Sequence, residues 1–410
     1  MSNYYHRLCQ PGHLHEAWKK LSKKKHSRGF DQQTIAKFES DLEGNIRQIS
    51  KELRSHAFRF TPLLGVLLDK SSGGKRPLRI PAVRDRLVLK ALHLLVAHKF
   101  QKYDLPCSFG YIRRISCADA VKRVRGLAGE GKVWVLEGDI SKFFDTVDQS
   151  LLMERFLKQI RIRSLENLVS RALRVEVGNL DAFRPFEREL FPLAESGIPQ
   201  GGVLSPLLAN FYLYPFDRAM TAAGFDLVRY ADDFVIMCST ENQAHEAYTL
   251  AHRILQNELR LTLHPLGGQD SKTKITLYSK GFTFLGLHFQ GGLVRPSSKA
   301  VNRFRETITK VTDPRMGFSL FATLTKLKHV IDGWGHAYYS YDCNEEFKGL
   351  DQHIRQEISK YLRCHDFMLA GHLVSGKQMQ FLGVPSLEAI RDALLCQQKD
   401  PSPGIQARVA

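Results

Sequence analysis

Residues 228–237, VRYADDFVIM, hold two adjacent acids inside an otherwise apolar run. Val228, Tyr230, Phe234, Val235, Ile236 and Met237 suit a buried strand, and Asp232 and Asp233 do not. A buried carboxylate costs several kcal/mol (about 3–5) unless it is paired or holds a metal. The run therefore reads as a hairpin with Ala231 and Asp232 at its turn. Either the two acids are exposed at that turn or the fold brings them a partner or a metal, and their apolar flanks argue against simple exposure.

A second acid meets the same requirement. VWVLEGDI, residues 133–140, reads as a core strand that ends at Asp139. Carboxylates at adjacent strand ends can bridge two divalent cations roughly 3.5–4 Å apart, one activating a hydroxyl and the other steadying a leaving oxygen. Mg²⁺ suits such a site, because it takes one or two carboxylates and completes its shell with water and substrate phosphate. Taken alone, an Asp-Asp pair at a turn is common, and its apolar flanks are what set this one apart.

Other segments supply parts that such chemistry needs. SGIPQGGVLSPLLANFYLYPFD, residues 196–217, reads as a Gly/Pro loop feeding a helix. Gly197, Gly201 and Gly202 let backbone approach a planar substrate, and Gln200 can hydrogen-bond within a nucleotide pocket. DKSSGGKRPLRIP, residues 69–81, reads as a polar turn between strands, with Lys70 and Arg76 flanking it as a clamp for a triphosphate. Taken alone, a basic turn of this kind is more often only a solvated hairpin.

The chain is large and basic. Its 410 residues are 43% hydrophobic and 10% aromatic, which excludes a disordered composition and allows two or three domains. Lys plus Arg number 59 against 42 Asp plus Glu, a net charge of +17 that favours a polyanionic partner, nucleic acid before an anionic membrane. The seven cysteines are widely spaced without a CxxC, as in a reducing cytoplasm rather than a disulfide framework or zinc ribbon. Cys364, His365 and His372 lie near one another in sequence, as helix-face placement also allows. No apolar stretch approaches a membrane span, and the polar Ser2–Arg7 stretch is no secretory signal.

Along the chain, residues 13–60 read as helices. The Lys19–Lys25 cluster is a phosphate contact or a solvated face, and Asp31 is placed to cap the helix that follows. Residues 84–100 repeat apolar side chains at helical spacing. A second β stretch spans ITLYSKGFTFLGLHF. From about Ser297 the pattern turns to helices with scattered bases, so a boundary is expected near 293–297. The polar stretch 397–410 is expected to fray.

The ordered set of motifs resembles a reverse transcriptase of the group II intron-like bacterial branch. KRPLRIPAVRDRLV resembles that family's fingers segment, SFGYIRRISCADA (108–120) its SFGFRP-type block, and DISKFFDTVD (139–148) its motif A. SGIPQGGVLSPLLANFYL resembles motif B and RYADDF the YADD form of motif C. SKTKI (271–275) with FTFLGLHF (282–289) resembles the last palm blocks, GWGHAYYSY (333–341) the start of the thumb, and SRGFDQQTI (27–35) the extra N-terminal block.

The resemblance implies an α+β right-hand polymerase fold: an N-terminal helical extension (1–60), fingers and palm (61–292), a helical thumb (293–375) and a short C-terminal tail (376–410). It implies RNA-directed DNA synthesis, in which a primer 3′-hydroxyl attacks the α-phosphate of a dNTP. Asp139, Asp232 and Asp233 are then the catalytic acids, holding two Mg²⁺ ions together with the backbone of Ile140. Phe144, five residues after Asp139, stands where a ring excludes a 2′-hydroxyl, while Phe143 packs in the core. Gln200 and Gly201 line the nucleotide pocket, Lys70 and Arg76 grip the triphosphate, and Lys272 stands where it can protonate pyrophosphate.

Implied partners are an RNA template, expected to be a structured noncoding RNA, a DNA primer or cDNA product, and dNTPs. A membrane is not among them, the oligomeric state is open, and the location is the bacterial cytoplasm. Two departures stand beside the site: the family usually has Gly at the position of Arg79 and Glu at that of Ser271. No nuclease motif follows the thumb motif, no retron block is found, and the intact QGGVLSP disfavours the gene-diversifying class. A stand-alone antiphage-defence enzyme copying a dedicated RNA is expected first. An intron-encoded reverse transcriptase and maturase comes second, and a catalytically idle RNA-binding chaperone last.

Overall fold

A computed structural model of the chain describes residues 4–21, 28–70, 73–267, 271–365, 367 and 372–399. The Lys23–Lys25 part of the basic cluster, Ser27 of the SRGFD turn, and residues 400–410 lie outside the described residues. The chain forms two compact units, Met1–Leu277 and Tyr278–Ala410, in a mixed α+β architecture.

In the first unit, strands β1 (Leu64–Asp69) and β2 (Lys75–Ile80) make an antiparallel hairpin. Four more strands form the central sheet: β3 (Trp134–Asp139), β4 (Asp226–Tyr230), β5 (Asp233–Cys238) and β6 (Lys274–Leu277). Its order is β4-β5-β3-β6, antiparallel throughout. β5 is buried along its whole length after Asp233, which is why its sequence reads as a continuous apolar run rather than an alternating one. Helices Cys117–Gly129, Ser205–Ala222 and Glu241–Arg253 pack against this sheet.

The N-terminal segment is helical, as expected. Helices Pro11–Leu21 and Leu42–Arg54 pack together, and the former also packs on the long apolar helix Val83–Phe100. Trp18 stacks on Phe38 with ring centroids 4.9 Å apart, and Ser50 Oγ donates to Cys9 O at 2.6 Å. The expected cap at Asp31 is not the one found. Thr34 Oγ1 accepts from Lys37 N and caps helix Ile35–Glu39, while Asp31 Oδ1 closes a local turn by accepting from Gln33 N. Asp31 lies too far ahead of the first helical turn to reach its free N–H groups.

The second unit opens with an antiparallel meander of β7 (Phe282–Phe284), β8 (Leu287–Gln290) and β9 (Leu293–Pro296). Helices Ser298–Val311, Leu320–Tyr338, Asn344–Cys364 and Leu387–Lys399 follow. Their apolar faces meet around Phe304, Ile308, Leu327, Ile331, Phe347 and Ile354, with Trp334 against Phe304, Tyr338 and Phe347. Asp351 accepts from the backbone N–H groups of Leu387 and Glu388 and so caps the last helix from its neighbour. All seven cysteines are free, and no helix among the described residues is long and apolar enough to cross a membrane.

Candidate active site

Strand register creates the acidic site. β3 and β5 pair so that Asp139 stands opposite Asp233, and β4 pairs with β5 so that Tyr230 does too. Ala231 and Asp232 make the turn between β4 and β5, as the sequence predicts. Three acids thus meet at one end of the sheet although more than ninety residues separate Asp139 from the pair. Ile140 continues from β3 into a bridge with Leu263 and is buried.

The electrostatics of the turn fit a cation. Burial pushes the Asp232 carboxyl above the usual carboxylate range, and the charge of Asp139 pushes it further, against the pull of Arg76 and Lys272. Asp139 Oδ2 faces two bases, Lys272 Nζ at 2.8 Å and His264 Nε2 at 3.3 Å. Among the described residues no three His, Cys, Asp or Glu side chains gather into an ion-binding cluster.

The turn itself is held by a network that the sequence motifs did not name. Ala231 has φ +60°, a left-handed conformation that costs a residue with a Cβ about 1–2 kcal/mol. Arg229, fully buried on β4, holds it there: its Nη1 donates to Ala231 O at 2.8 Å. Nη1 also reaches Asn210 Oδ1 at 3.2 Å, Nη2 reaches Ser108 Oγ at 2.9 Å, and Nε reaches Asp217 Oδ1 at 2.6 Å. Nη2 completes a bidentate pair with Asp217 Oδ2.

Burial lowers the Arg229 guanidinium, but Asp217 outweighs it and holds the group above its ordinary value, while burial raises the Asp217 carboxyl against the pull of Arg229. The SFGY segment lies against the same turn. Phe109 N donates to Arg229 O at 2.8 Å, and Asn210 Nδ2 donates to Gly110 O at 2.8 Å. A Cβ on Gly110 would stand 2.4 Å from Ala231 N, so only glycine lets this segment approach. The available signal for this network was an Arg inside an apolar strand and an Asp at the end of an apolar helix pattern.

The expected nucleotide-side residues surround a second feature, the loop 196–202. Ile198 N donates to Phe144 O at 2.7 Å, Gly197 N to Val147 O at 2.9 Å, and Ser196 Oγ to Asp145 O at 2.9 Å. The loop is therefore stitched to the turn that carries Phe144. Phe143 is buried and meets the half-buried Phe144 edge-on, with ring centroids 5.3 Å apart. Gln200 O accepts from Arg79 N at 2.9 Å, which places Gln200 and Gly201 beside β2.

Lys70 and Arg76 flank the exposed β1–β2 turn, where Lys70 N donates to Gly74 O at 2.9 Å. Their charges reach Asp145, whose carboxyl burial pushes up and Arg79, Lys142, Lys70 and Arg76 draw down. Arg76 and Lys272 act on Asp232 as well, so the clamp residues and the acids share one electrostatic neighbourhood.

Comparison with known proteins agrees with the motif order. The family model described as reverse transcriptase (RNA-dependent DNA polymerase) matches residues 68–289, and that of the group II intron maturase-specific domain matches residues 301–366. Protein YkfC of Escherichia coli is 29% identical, over 78% of this chain and 91% of that protein. The group II intron-encoded protein LtrA of Lactococcus lactis is 27% identical over 57% of this chain, and the match spans only 35% of LtrA. An uncharacterised 91 kDa protein in the cob intron of Schizosaccharomyces pombe is 33% identical over 42% of this chain and 20% of its own length. Among solved structures, a partial Cas6-RT-Cas1–Cas2 complex aligns at 24% identity and TM-score 0.36, over 61% of this chain and 42% of that one. Candida albicans telomerase aligns at 12% identity and TM-score 0.40, over 89% and 67%.

Proposed function

This chain belongs to the reverse transcriptase (RNA-dependent DNA polymerase) family, with that family's right-hand polymerase fold, and we propose that Asp139, Asp232 and Asp233 are its catalytic acids. The observation that carries this reading is the register that sets Asp139 opposite Asp233 with Asp232 at the adjoining turn. Asp139, Asp232 and the backbone of Ile140 are suited to hold two Mg²⁺ ions. Bound there, the ions supply charge stabilisation to an attacking hydroxyl and a leaving phosphate oxygen.

The remaining roles belong to the chain's own side chains. Phe144 closes the space beside the sugar at C2′ and so favours deoxynucleotides. Gln200 and Gly201 form the floor under base and sugar. Lys70 and Arg76 bind the triphosphate from the open turn, where both are exposed. Lys272, whose Nζ donates to Asp139 at 2.8 Å, stands beside the acids and is the proton donor we assign to the leaving pyrophosphate. Positioning and fixed charge carry most of the rate.

The template we propose is a structured RNA from the protein's own locus, bound in the cytoplasm through phosphate contacts made by the chain's net +17 charge. We favour an intron-type RNA over the antiphage noncoding RNA expected first from the sequence, a choice that the match of residues 301–366 to the maturase-specific domain supports. Sequencing the RNA and cDNA that co-purify with the protein tests this. Reads from a flanking intron with spliced exons are expected. Reads from one unspliced RNA would favour the defence role, and reads spread over the transcriptome would defeat both. Primer extension with each nucleotide pool tests the gate: Phe144→Ala should accept ribonucleotides, and an unchanged preference would make Phe144 a packing residue.

A further inference from the structure

Arg79 and Arg229 head the largest fully buried side chains among the described residues, and Arg79 is the one that the catalytic turn does not use. It sits on β2, where the resemblance led to an expectation of glycine. Its backbone N donates to Gln200 O and its Nη2 donates to Ile198 O, both at 2.9 Å. One residue therefore grips the two carbonyls on either side of Pro199 from the fingers strand. From the other side the same loop is held by Phe144 O and Val147 O. The loop under the proposed nucleotide is thus clamped between β2 and the turn bearing Phe144.

The clamp is charged and only partly satisfied. Arg79 Nε is buried with no hydrogen-bond partner, and so is Asp145 Oδ1. Burial pushes the Arg79 guanidinium down to about 10 while Asp145 pulls it back up; burial pushes Asp145 up while Arg79 heads the charges that pull it down. Each group makes the other's burial tolerable. Asp145 directly follows Phe144 and also feels Lys142, Lys70 and Arg76. A planar guanidinium that donates to the Ile198 carbonyl and feels the charge of Asp145 is not replaced by an ammonium point charge.

We propose that Arg79 is a positioning residue for nucleotide selection: with Asp145 as its counter-charge, it sets the Ile198–Gly201 floor against the Phe144 wall and so governs dNTP affinity and sugar discrimination. This rests on the reading of Phe144, Gln200 and Gly201 as the nucleotide pocket. Arg79 hydrogen-bonds to the loop and not to Asp139, Asp232 or Asp233, so its loss should act on KM rather than kcat.

The test is steady-state extension of a DNA primer on an RNA template, with dNTP and rNTP titrated separately, for Arg79→Met, Arg79→Lys, Asp145→Asn and the Arg79→Met/Asp145→Asn double variant. Melting temperatures are taken alongside. Arg79→Met and Asp145→Asn should each raise KM for dNTP about tenfold or more, with kcat changed much less, and narrow the dNTP/rNTP preference. The double variant should lose less than the product of the two single losses, because the second change removes a charge that the first left unbalanced. Arg79→Lys, which keeps the charge, should regain thermal stability ahead of discrimination and supplies the answer if Arg79→Met fails to fold.

Unchanged KM and sugar preference in folded Arg79→Lys and Asp145→Asn would overturn the inference, and so would multiplicative effects in the double variant. Phe144→Ala in the same assay separates the two levels. If it admits rNTPs while the Arg79 variants change nothing, the pocket stands and the role of Arg79 falls. If it too changes nothing, the pocket reading itself falls.

Discussion

Two turns of the first unit carry charge toward the same site and are built in opposite ways. The β4–β5 turn holds its acids on an over-determined frame. A left-handed Ala231, a buried Arg229 and the side chains of Ser108, Asn210 and Asp217 all converge on it. The β1–β2 turn carries Lys70 and Arg76 on a hairpin tip closed by two backbone bonds between Lys70 and the glycines Gly73 and Gly74, both at positive φ. A Cβ on either glycine would meet nothing within 4 Å. The proposed metal-holding role asks for a frame with one arrangement, and the proposed triphosphate-binding role asks for slack.

The largest expected effect lies at the rigid turn. Asp232→Ala should abolish primer extension while the protein keeps its melting transition, because the frame and not the carboxylate holds the turn. Extension at the wild-type rate by a folded variant would remove Asp232 from the catalytic set.

Next comes the frame itself. Arg229→Met should destabilise the first unit by about 3–5 kcal/mol, since it leaves Asp217 buried and unpaired. Adding Asp217→Leu should return much of that stability in a denaturant titration, yet activity should stay low because Ala231 O has lost its donor. Recovery of activity together with stability would show that the turn does not need this anchor.

At the open turn smaller, kinetic effects are expected. Lys70→Ala and Arg76→Ala should each raise KM for dNTP about tenfold to a hundredfold, the equivalent of a lost charged hydrogen bond, with RNA affinity and melting temperature nearly unchanged. A loss of RNA binding at constant KM would assign the hairpin to the template instead.

The smallest effect concerns pH. Asp232 is held above the ordinary carboxylate range, so as pH rises the unfolded chain ionises first and the folded state loses stability. Asp232→Asn should therefore raise the melting temperature of the metal-free protein at neutral pH. That gain should vanish below about pH 4, where the carboxyl is protonated in both states. A gain independent of pH would trace the effect to packing.

Much of the site was legible because its chemistry is local. The acids at 139, 232 and 233, the hairpin turn at Ala231 and Asp232, and the glycine loop feeding a helix all follow from short patterns of charge and apolar residues. The cap at residue 31 was misread because Asp31 and Thr34 are equally good caps by type, and only the path of the backbone selects Thr34. Arg229 was passed over because an Arg inside an apolar run has no visible partner in sequence.

What the sequence by itself determined is the set of elements and the kind of chemistry: strands ending in acids, helices of apolar stripe, a basic surface, and a family whose motifs stand in order. Those depend on intrinsic preferences and on solvent. The tertiary structure alone decided which groups face one another. It set Asp139 opposite Asp233, joined Asp217 to Arg229, and brought the Arg79 guanidinium to Ile198 O. Such pairings depend on strand register and on residues distant in sequence, 119 positions apart for Arg79 and Ile198, meeting where water is excluded and an unpaired charge is costly.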